Sequence, residues 1–491
     1  MSTEIELKLQ LSPKAARKLR DHPLLAGLTS QRLDLQNTYY DTPSLELHAR
    51  RIALRYRKKG LQWLLTVKTA EPACGGLAMR NEWECAATPG AFDFAHVDRP
   101  ELRDFLDLRR ELLEPVFTTH FRRQIWQVSY GDSEIELVLD RGSIDSRDRS
   151  TPICEIELEL LSGKVDDLFA LTRQLQKDLV LYPAIMSKAE RGYALYLDAP
   201  LTPWKAKAAD VHADQTPVEA FRAIALGCLE HFQRNEAGLL AAGEAEFVHQ
   251  ARVALRRLRS AIRLFAPILP AEFVQAYGQT WQTLAGALGD ARNWDVFLSE
   301  TLPPLIAAFD NHKETRRLRS AAQKRAQAAR RDIMQLLSLR EYPCLLVEFT
   351  AAVHALSDTQ AIPLADFARE RLAAHARRAR KLARRLPELN AEERHRMRIA
   401  FKKLRYALEF FAPLLPERRL APYLAALTSL QDELGRLNDH VTAEALLCST
   451  LGRGDASVAH GWIAGRHLLL LETLPAAIEV WLEQKAPWQG G

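Results

Sequence analysis

The sequence predicts two regions of different structural class, an α+β region dominated by an antiparallel sheet and then an all-helical region. Three observations support this prediction. Apolar and polar residues alternate strictly in the first 200 residues, apolar residues recur at spacings of three and four from about residue 217, and a Pro-containing boundary lies near residues 198–216. The predicted domains are therefore residues 1–200 and residues 217–485, with a linker at residues 201–216.

Six segments of the first region alternate with a period of two, which is the period of a β-strand with two opposed faces. These segments are residues 3–11, 52–57, 63–68, 80–85, 134–140 and 153–160. We expect turns at Gly75-Gly76, Tyr130-Gly-Asp132 and Arg141-Gly142, and helices near residues 13–20 and 165–177.

The second region contains an internal repeat. Residues 248–265 and 394–411 match at a constant offset of 146, and Ala-Pro follows each copy. A further shared signature begins at Leu288-Gly289 and at Leu434-Gly435, again 146 residues apart. The repeat predicts a duplicated bundle of roughly four helices per copy.

Charged side chains share faces on the predicted strands. They are Glu4, Glu6 and Lys8 on the first strand, then Arg55 with Arg57, Arg80 with Glu82 and Glu84, and Glu155 with Glu157 and Glu159. The simplest interpretation is the solvated face of a half-buried sheet, yet such faces usually mix Thr, Ser, Gln and Lys. If these faces line one closed interior, the carboxylates need cations or metal beside them. Such an interior suits a polyanion together with Mg²⁺ or Mn²⁺.

Glu4-Ile-Glu-Leu-Lys8 resembles the ExExK signature of the CYTH superfamily, the triphosphate tunnel metalloenzymes. Later motifs follow in the order of that family, namely Tyr39-Tyr-Asp-Thr42, Leu54-Arg-Tyr-Arg57, Thr66-Val-Lys68, Arg80-Asn-Glu82, Phe121-Arg-Arg123, residues 136–140, Glu155-Ile-Glu-Leu-Glu159 and Ser187-Lys-Ala-Glu-Arg191. The resemblance covers about residues 1–200. It implies an eight-stranded antiparallel tunnel that hydrolyses triphosphates, often inorganic triphosphate, with Mg²⁺ or Mn²⁺.

The resemblance also implies roles for individual positions. The residues that would bind the triphosphate are Arg55, Arg57, Lys68, Arg80, Arg123 and Lys188. The residues that would place the metal are Glu4, Glu6, Asp140, Glu155 and Glu157, with Glu82 and Glu136 in support. Lys8 would grip phosphate or help to activate water. Two positions stay open: Glu159 lies at the end of its strand, and alternation lets one of Arg122 and Arg123 face inward.

The helical region carries a basic face in both copies of the repeat. His249, Arg252, Arg256, Arg259 and Arg263 fall within an arc of about 80° on one helix. His395, Arg398, Lys402 and Arg405 occupy the same arc in the second copy, where Glu409 replaces the last arginine. Like charges at this spacing repel, so a bound anion would explain the cluster better than a solvated face.

This region resembles the CHAD domain, the conserved histidine α-helical domain, over about residues 217–485. The resemblance implies that these nine residues bind inorganic polyphosphate. In the second signature it implies that acidic or amide groups orient the cations; they are Asp290, Asn293, Asp295, Asn438 and Asp439. Arg257 and Lys403 lie about 80° from the histidine on the other side of each helix, outside this arc. The basic run at residues 377–385 is expected to be mostly solvated.

The sequence thus predicts a metal-dependent inorganic triphosphatase joined to a polyphosphate-binding helical domain. The alternatives are a thiamine-triphosphatase or adenylate-cyclase-like enzyme, a non-catalytic polyphosphate-binding protein and, less favoured, a nucleic-acid-binding protein. Tyr39, Tyr56 and Trp83 are aromatic residues that could form a binding pocket for a base, so the nucleotide and thiamine alternatives stay open. A net charge of only +5 and the lack of a recognisable nucleic-acid-binding motif disfavour binding to nucleic acid.

Composition predicts a globular protein of the cytoplasm. The chain has 491 residues and is 47% hydrophobic and 26% charged, and it lacks an apolar stretch of about 18 residues that could span a membrane. The first ten residues do not resemble a secretory leader. Six cysteines lie far apart without a CxxC pair, which disfavours a zinc site or a disulfide framework. Association with polyphosphate granules is a further hypothesis, and the sequence does not indicate an oligomeric state.

Overall fold

The computed structural model describes residues 2–70, 74–241, 244–309, 313–358, 362–451 and 457–488. The chain divides into two compact units. The first unit comprises residues 1–201 and 339–355, and the second unit comprises residues 202–338 and 356–491. None of the helices in the described ranges is both long enough and apolar enough to cross a membrane.

The first unit is built on a sheet in which all strand pairs are antiparallel. The strands are β1 (Ser2–Gln10), β2 (Ser30–Asp41), β3 (Ile52–Lys59), β4 (Gln62–Ala70), β5 (Leu77–Ala86), β6 (Glu114–Tyr130), β7 (Ser133–Ser146), β8 (Arg149–Ser162) and β9 (Tyr182–Pro183). Their order is β5-β4-β3-β2-β6-β7-β8-β1-β9, and β1 pairs with β5 as well. The eight long strands therefore close into a ring, which confirms the predicted eight-stranded antiparallel sheet.

Helices pack against this ring, and others form the second unit. The helices within the first 200 residues are α1 (Pro13–Arg20), α2 (Glu46–Ala49), α3 (Pro100–Asp107), α4 (Val165–Gln176) and α5 (Lys188–Leu197). The next are α6 (Pro217–Leu240), α7 (Ala245–Phe265), α8 (Ala271–Val296), α9 (Leu302–Ala308) and α10 (Lys313–Ser338). The remaining helices are α11 (Glu341–His354), α12 (Leu364–Ala383), α13 (Ala391–Phe410), α14 (Glu417–Leu451) and α15 (Ser457–Leu482).

Strand β1 turns its apolar side chains to the outside of the ring and its charged side chains to the inside. Leu7 and Leu9 of β1 are fully buried, in one cluster with residues of α1 and α4. Their strand neighbours Glu6 and Lys8 are also buried, but point the other way along the alternation. Because β1 buries its apolar face beneath α1 and α4, its charged face is left to line the interior.

Helix α11 belongs to the first unit although its neighbours in sequence belong to the second. Val347 is fully buried in the same cluster as Leu7 and Leu9. Gly75 has φ +57°, and a Cβ at this position would overlap the Thr350 side chain. The Arg340 guanidinium donates to the Gln176 carbonyl at 2.5 Å. The sequence analysis did not anticipate this arrangement, because an amphipathic pattern does not show which core a helix joins.

The second unit repeats its helices at the predicted offset. Helix α7 begins at Ala245 and α13 at Ala391, while α8 begins at Ala271 and α14 at Glu417. Both differences are 146 residues, which confirms the duplicated helical region. Capping boxes at Thr216 and Asn390 define the starts of α6 and α13, since each pairs with a glutamate three residues later.

Two details of the strand prediction need correction. The sequence analysis identified no strands at β2 and β6, where irregular polar residues interrupt the alternation. The turn predicted at Arg141-Gly142 is wrong, because both residues lie within β7. Gly142 pairs with Phe121 on one side and with Ile153 on the other, and a Cβ there would overlap the His120 carbonyl oxygen. Glycine marks a close approach of strands at this position rather than a turn.

Candidate functional site

Lys188, at the start of α5, lies among three carboxylates inside the ring. Its Nζ is 2.7 Å from Asp140 Oδ2, 2.5 Å from Glu155 Oε1 and 2.9 Å from Glu157 Oε1. One oxygen from each of these carboxylates lies within 4.8 Å of the other two. Asp140, Glu155 and Glu157 are called the first carboxylate group below.

Arg123 and Lys8 also contact the first carboxylate group. Arg123 donates to both oxygens of Asp140, at 2.8 and 2.7 Å, and to Glu157 Oε2 at 2.7 Å. Lys8 Nζ lies 3.0 Å from Glu157 Oε1 and 3.4 Å from Glu6 Oε1. Burial alone would raise the pKa of Glu157, but Lys188, Lys8 and Arg123 outweigh it and hold this pKa well below its usual range. Glu157 is therefore ionised, and all three carboxylates of the group are closely paired with cations.

A second carboxylate group consists of Glu4, Glu6, Glu136 and Glu159. Glu159 of β8 stands opposite Glu6 on β1 and opposite Glu136 on β7. Burial, with Glu4 and Glu136 next, raises the pKa of Glu159 to about 7. This shift indicates more negative charge than the neighbouring cations balance. Glu159, left open by the sequence, thus lies beside the carboxylates of the predicted metal site.

Lys68 connects the second carboxylate group to β5. Its Nζ is 2.9 Å from Glu4 Oε2 and 2.6 Å from Glu82 Oε2. Burial would raise the pKa of Glu82, but Lys68 and Arg55 lower it. Lys68 therefore holds Glu82 as an anion and at the same time contacts Glu4.

Arg55 and Arg57 lie in the interior beside carboxylates of β5, with Arg55 Nη2 3.5 Å from Glu82 Oε1 and Arg57 Nη1 3.8 Å from Glu84 Oε2. Arg55 Nη1 donates to the Tyr39 hydroxyl at 3.4 Å, whereas its buried Nε and Nη2 make no hydrogen bond to the described residues. Arg57 Nε donates to Asn37 Oδ1 at 3.0 Å. Burial, with Arg55 and Arg123 next, lowers the pKa of Arg57 to about 10. Buried N–H groups beside a crowded cation indicate an environment suited to an anion.

The structure brings most of the predicted tunnel residues together. Arg123 contacts the first carboxylate group, while Arg122 is exposed, so strand alternation directs only Arg123 inward. The side chain of Arg80 lies outside the described part of the chain. The sequence analysis missed Arg191, whose Nη1 is 3.2 Å from Glu155 Oε2, although it ends a motif used for the resemblance.

Two of the three aromatic residues considered for a base pocket lie outside the ring. Tyr56 and Trp83 are buried in an apolar cluster with Phe94 and Phe105. Tyr39 stacks on Phe117 at a centroid distance of 4.4 Å and accepts a hydrogen bond from Arg55. The interior therefore gains little aromatic surface from these three side chains.

The second unit gathers five cations where the repeated helices meet. Arg252 and Arg256 come from α7, Arg292 from α8, and Arg398 and Lys402 from α13; they are called the central cation cluster. Burial, with Arg256 and Arg398 next, lowers the pKa of Arg252 to about 10. Burial and the same two arginines lower the pKa of Lys402 to about 5. These cations lie close enough to disfavour one another's charge.

Polar groups of the second signature contact this cluster unequally. Asn438 Oδ1 accepts from Arg398 Nη1 at 3.0 Å. Burial raises the pKa of Asp439 although Arg398 and Lys402 lower it, so this carboxylate compensates the cluster incompletely. Asp295 is instead paired with Arg330 at 2.6 Å, and Asp290 is exposed. Asn293 lines a small cavity together with Asp439.

Other predicted anion-binding residues lie at the margin. His249 is half-buried and His395 is exposed. Arg259 donates to Gln282 at 2.9 Å, and Arg405 is paired with Glu409 at 2.7 Å. The sequence analysis missed Arg292, although it stands in the Leu288-Gly289 signature that marks the repeat.

Comparisons with known proteins agree with both parts of this description. Residues 2–193 match the family model of the CYTH domain, and residues 223–448 match that of the CHAD domain. An inorganic triphosphatase of Haemophilus influenzae is 37% identical over 211 residues, which are 42% of this chain and 58% of that protein. The match thus spans little more than half the length of this curated relative.

A solved structure resembles the helical region. The crystal structure of the CHAD domain from the plant Ricinus communis is 33% identical, with a TM-score of 0.51. The match covers 58% of this chain and 98% of the plant domain. The closed antiparallel ring and the duplicated helices are therefore a CYTH domain followed by a CHAD domain in one chain.

Proposed function

We propose that the first unit hydrolyses inorganic triphosphate to phosphate and diphosphate with Mg²⁺ or Mn²⁺. The observation that carries the proposal is one closed interior in which Arg55, Arg57 and Arg123 accompany two carboxylate groups. A triphosphate is a short, highly charged anion, and an interior with both cations and hard oxygen ligands suits its metal complex. The relative named inorganic triphosphatase supports the same reaction.

The second carboxylate group fits a divalent cation better than the first. Lys188, Arg123 and Arg191 pair with the first group. In the second group Lys68 contacts Glu4 and Lys8 contacts Glu6, but Glu159 keeps a raised pKa among its acidic neighbours. We therefore place the metal at Glu4 and Glu6, with Glu136 and Glu159 in support, and assign the first carboxylate group to holding Lys188 and Arg123. When bound, the metal would neutralise phosphate charge and polarise a phosphoryl oxygen.

The residues of the chain then bind and orient the substrate. Arg55 offers two buried N–H groups without hydrogen-bond partners among the described residues, and Arg57 lies beside it. These groups would bind phosphate oxygens and stabilise the charge of the departing diphosphate. Lys8 lies between Glu6 and Glu157, where its ammonium group would hold the phosphate nearest to the second carboxylate group.

The second unit would bind inorganic polyphosphate. Four cations of the central cation cluster belong to the predicted basic faces, and the shifted pKa values of Arg252 and Lys402 show crowded positive charge. A flexible chain of phosphates places negative charges at close intervals and would relieve this repulsion. Nucleic acid is a less suitable partner, because the cations converge on one place instead of following a long surface.

The test is a substrate panel with purified full-length protein. Tripolyphosphate should release phosphate with Mg²⁺ or Mn²⁺, and EDTA should stop the release. ATP and thiamine triphosphate should be hydrolysed more slowly, since Tyr56 and Trp83 pack outside the ring. Turnover that continues after chelation would contradict the metal assignment, and faster hydrolysis of thiamine triphosphate would favour the alternative substrate.

The cytoplasmic location expected from the sequence is part of this proposal. Association with polyphosphate granules would follow from binding by the second unit. Fluorescent tagging of the full chain in cells with and without polyphosphate would test both statements.

A further inference from the structure

The two copies of the repeat are related by an approximate symmetry, which contacts between equivalent aromatic residues indicate. Phe221 and Phe265 have ring centroids 5.5 Å apart, and their equivalents 146 residues later, Phe367 and Phe411, are 6.4 Å apart. Phe265 and Phe411, which are equivalent to each other, meet at 5.7 Å. A contact between α7 and α13 on one side of these rings should therefore have a counterpart on the other side.

On one side the contact is an ion pair. Arg257 of α7 lies 2.6 Å from Glu409 of α13, and its guanidinium stacks over Phe410 at 5.1 Å. Arg405 approaches the other oxygen of Glu409 at 2.7 Å. Two cations thus share one carboxylate at this contact.

On the other side the counterpart is a pair of cations. The residue equivalent to Arg257 is Lys403, and the residue equivalent to Glu409 is Arg263. Burial, followed by Arg263 and Arg378, lowers the pKa of Lys403. A lysine of one copy thus faces an arginine of the other where symmetry would place a carboxylate.

Helix α12 adds three more basic groups here. Arg371, His375 and Arg378 are spaced by four and three residues, which places them on one face of the helix. Burial, with Arg371 and Lys403 next, lowers the pKa of His375 to about 4. Arg371 Nε is buried without a hydrogen-bond partner among the described residues.

These five residues form a lateral cation cluster, defined as Arg263, Arg371, His375, Arg378 and Lys403. In the ranges that the structure describes, none of them makes an ion pair with a carboxylate. Arg263 and Arg378 are exposed, so a ligand from solvent can reach them. Arginine and lysine from three helices suit the closely spaced oxygens of phosphate groups.

We propose that the lateral cation cluster is a second phosphate-binding site, which a long polyphosphate chain occupies together with the central cation cluster. The site rests on the proposed binding of polyphosphate by the second unit. Arg256, Arg259 and Arg263 connect the two clusters along α7. Arg256 of the central cation cluster and Arg263 are about 10 Å apart along the helix axis, so a chain longer than tripolyphosphate is needed to bridge the two clusters.

Arg263→Glu tests the site by restoring the symmetric ion pair. The new carboxylate would face Lys403 as Glu409 faces Arg257, so the thermal midpoint should stay equal to that of the wild type or rise. Affinity for long-chain polyphosphate should fall by about tenfold or more, because the second of two linked contacts is lost. Affinity for tripolyphosphate at the second unit should change much less.

Arg331→Glu is the matched control, since it makes the same charge change at an exposed position of α10. Equal weakening by both variants, or unchanged affinity in Arg263→Glu, would overturn the lateral site. If Arg263→Glu lowers the thermal midpoint, Lys403→Met removes the cation with its volume retained and must weaken long-chain binding instead. Failure of the wild-type protein to bind polyphosphate would overturn the proposed function itself, which distinguishes the two results.

Discussion

The interior of the ring and the central cation cluster both concentrate charge, but they balance it differently. Inside the ring a single cation contacts several carboxylates: Lys188 contacts three, and Lys68 contacts two. In the central cation cluster Asn438 supplies a neutral oxygen, and Asp439 compensates the cations only in part. The first arrangement is nearly neutral, whereas the second is strongly positive.

This difference indicates different ligands. A nearly neutral interior cannot attract a bare polyanion strongly, and it needs a metal ion to complete the positive charge. A cluster of cations that is only partly compensated should bind an anion without metal, because relief of repulsion among its cations adds to the attraction. The two regions should therefore respond in opposite ways to metal removal and to loss of charged side chains.

The largest expected effect is loss of hydrolysis on changing the second carboxylate group. Glu6→Gln should lower the rate of tripolyphosphate hydrolysis by about 100-fold, because a proposed metal ligand becomes neutral. Phosphate release at saturating Mg²⁺ measures the effect. Glu101→Gln, at an exposed position of α3, is the control and should keep the wild-type rate. A near-normal rate in Glu6→Gln would remove the assignment of the interior as the active site.

A smaller effect is expected on binding when the central cation cluster is neutralised. Combined alanine substitutions at Arg252, Arg256, Arg398 and Lys402 should weaken long-chain polyphosphate binding by roughly 100-fold, since charge-assisted hydrogen bonds are lost. The wild-type affinity should fall with added salt and persist in EDTA. Isothermal titration measures both.

The thermal midpoint of this variant sharpens the comparison. Removing cations that repel one another should leave the free protein as stable as the wild type or more stable. The opposite is expected inside the ring, where Lys188→Ala removes a buried cation that three carboxylates share and should destabilise the protein. Equal polyphosphate affinity in the fourfold variant and the wild type would identify the cluster as a solvated surface.

The smallest expected effect is that ligand binding releases protons in the ring and takes up protons in the central cation cluster. Glu159, with a pKa raised to about 7, is partly protonated at pH 7, so a metal that favours the carboxylate should release protons. Lys402, with a pKa lowered to about 5, is mostly neutral at pH 7, so a bound polyanion should cause proton uptake. Titration of each ligand in two buffers with different ionisation enthalpies measures these protons.

Single variants identify the groups responsible. Glu159→Gln should abolish the release on metal binding, and Lys402→Met should abolish the uptake on polyphosphate binding. Proton release on polyphosphate binding would contradict the proposed state of Lys402. Unchanged release in Glu159→Gln would move the titrating group elsewhere in the interior.

Much of the fold was predictable because it depends on local periodicity. Alternation identified β1, β3, β4, β5, β7 and β8, while two copies of one pattern identified the repeat. Strands β2 and β6 escaped because their alternation is irregular, and Gly142 resembled a turn because sequence does not show how closely two strands approach. Helix α11 escaped because its apolar face would fit either unit.

The candidate site was predictable in its members but not in its pairings. The ordered motifs predicted that Lys188 and Glu157 belong to one site. Arg191 and Arg292 were not predicted as site residues, although both lie in motifs that the sequence analysis used. The lateral cation cluster was missed because Arg263 and Lys403 belong to different copies of the repeat. Only their packing places two cations where the other side has a salt bridge.

The sequence by itself determined which residues alternate, which repeat and in what order the motifs occur, because these properties depend on near neighbours along the chain. Tertiary structure decided that Lys188 pairs with three carboxylates, that Arg123 faces inward instead of Arg122, and that α11 packs with the first unit. These pairings and orientations depend on strand register and on contacts between distant segments. A hydrophobic pattern of period two or 3.6 contains no information about either.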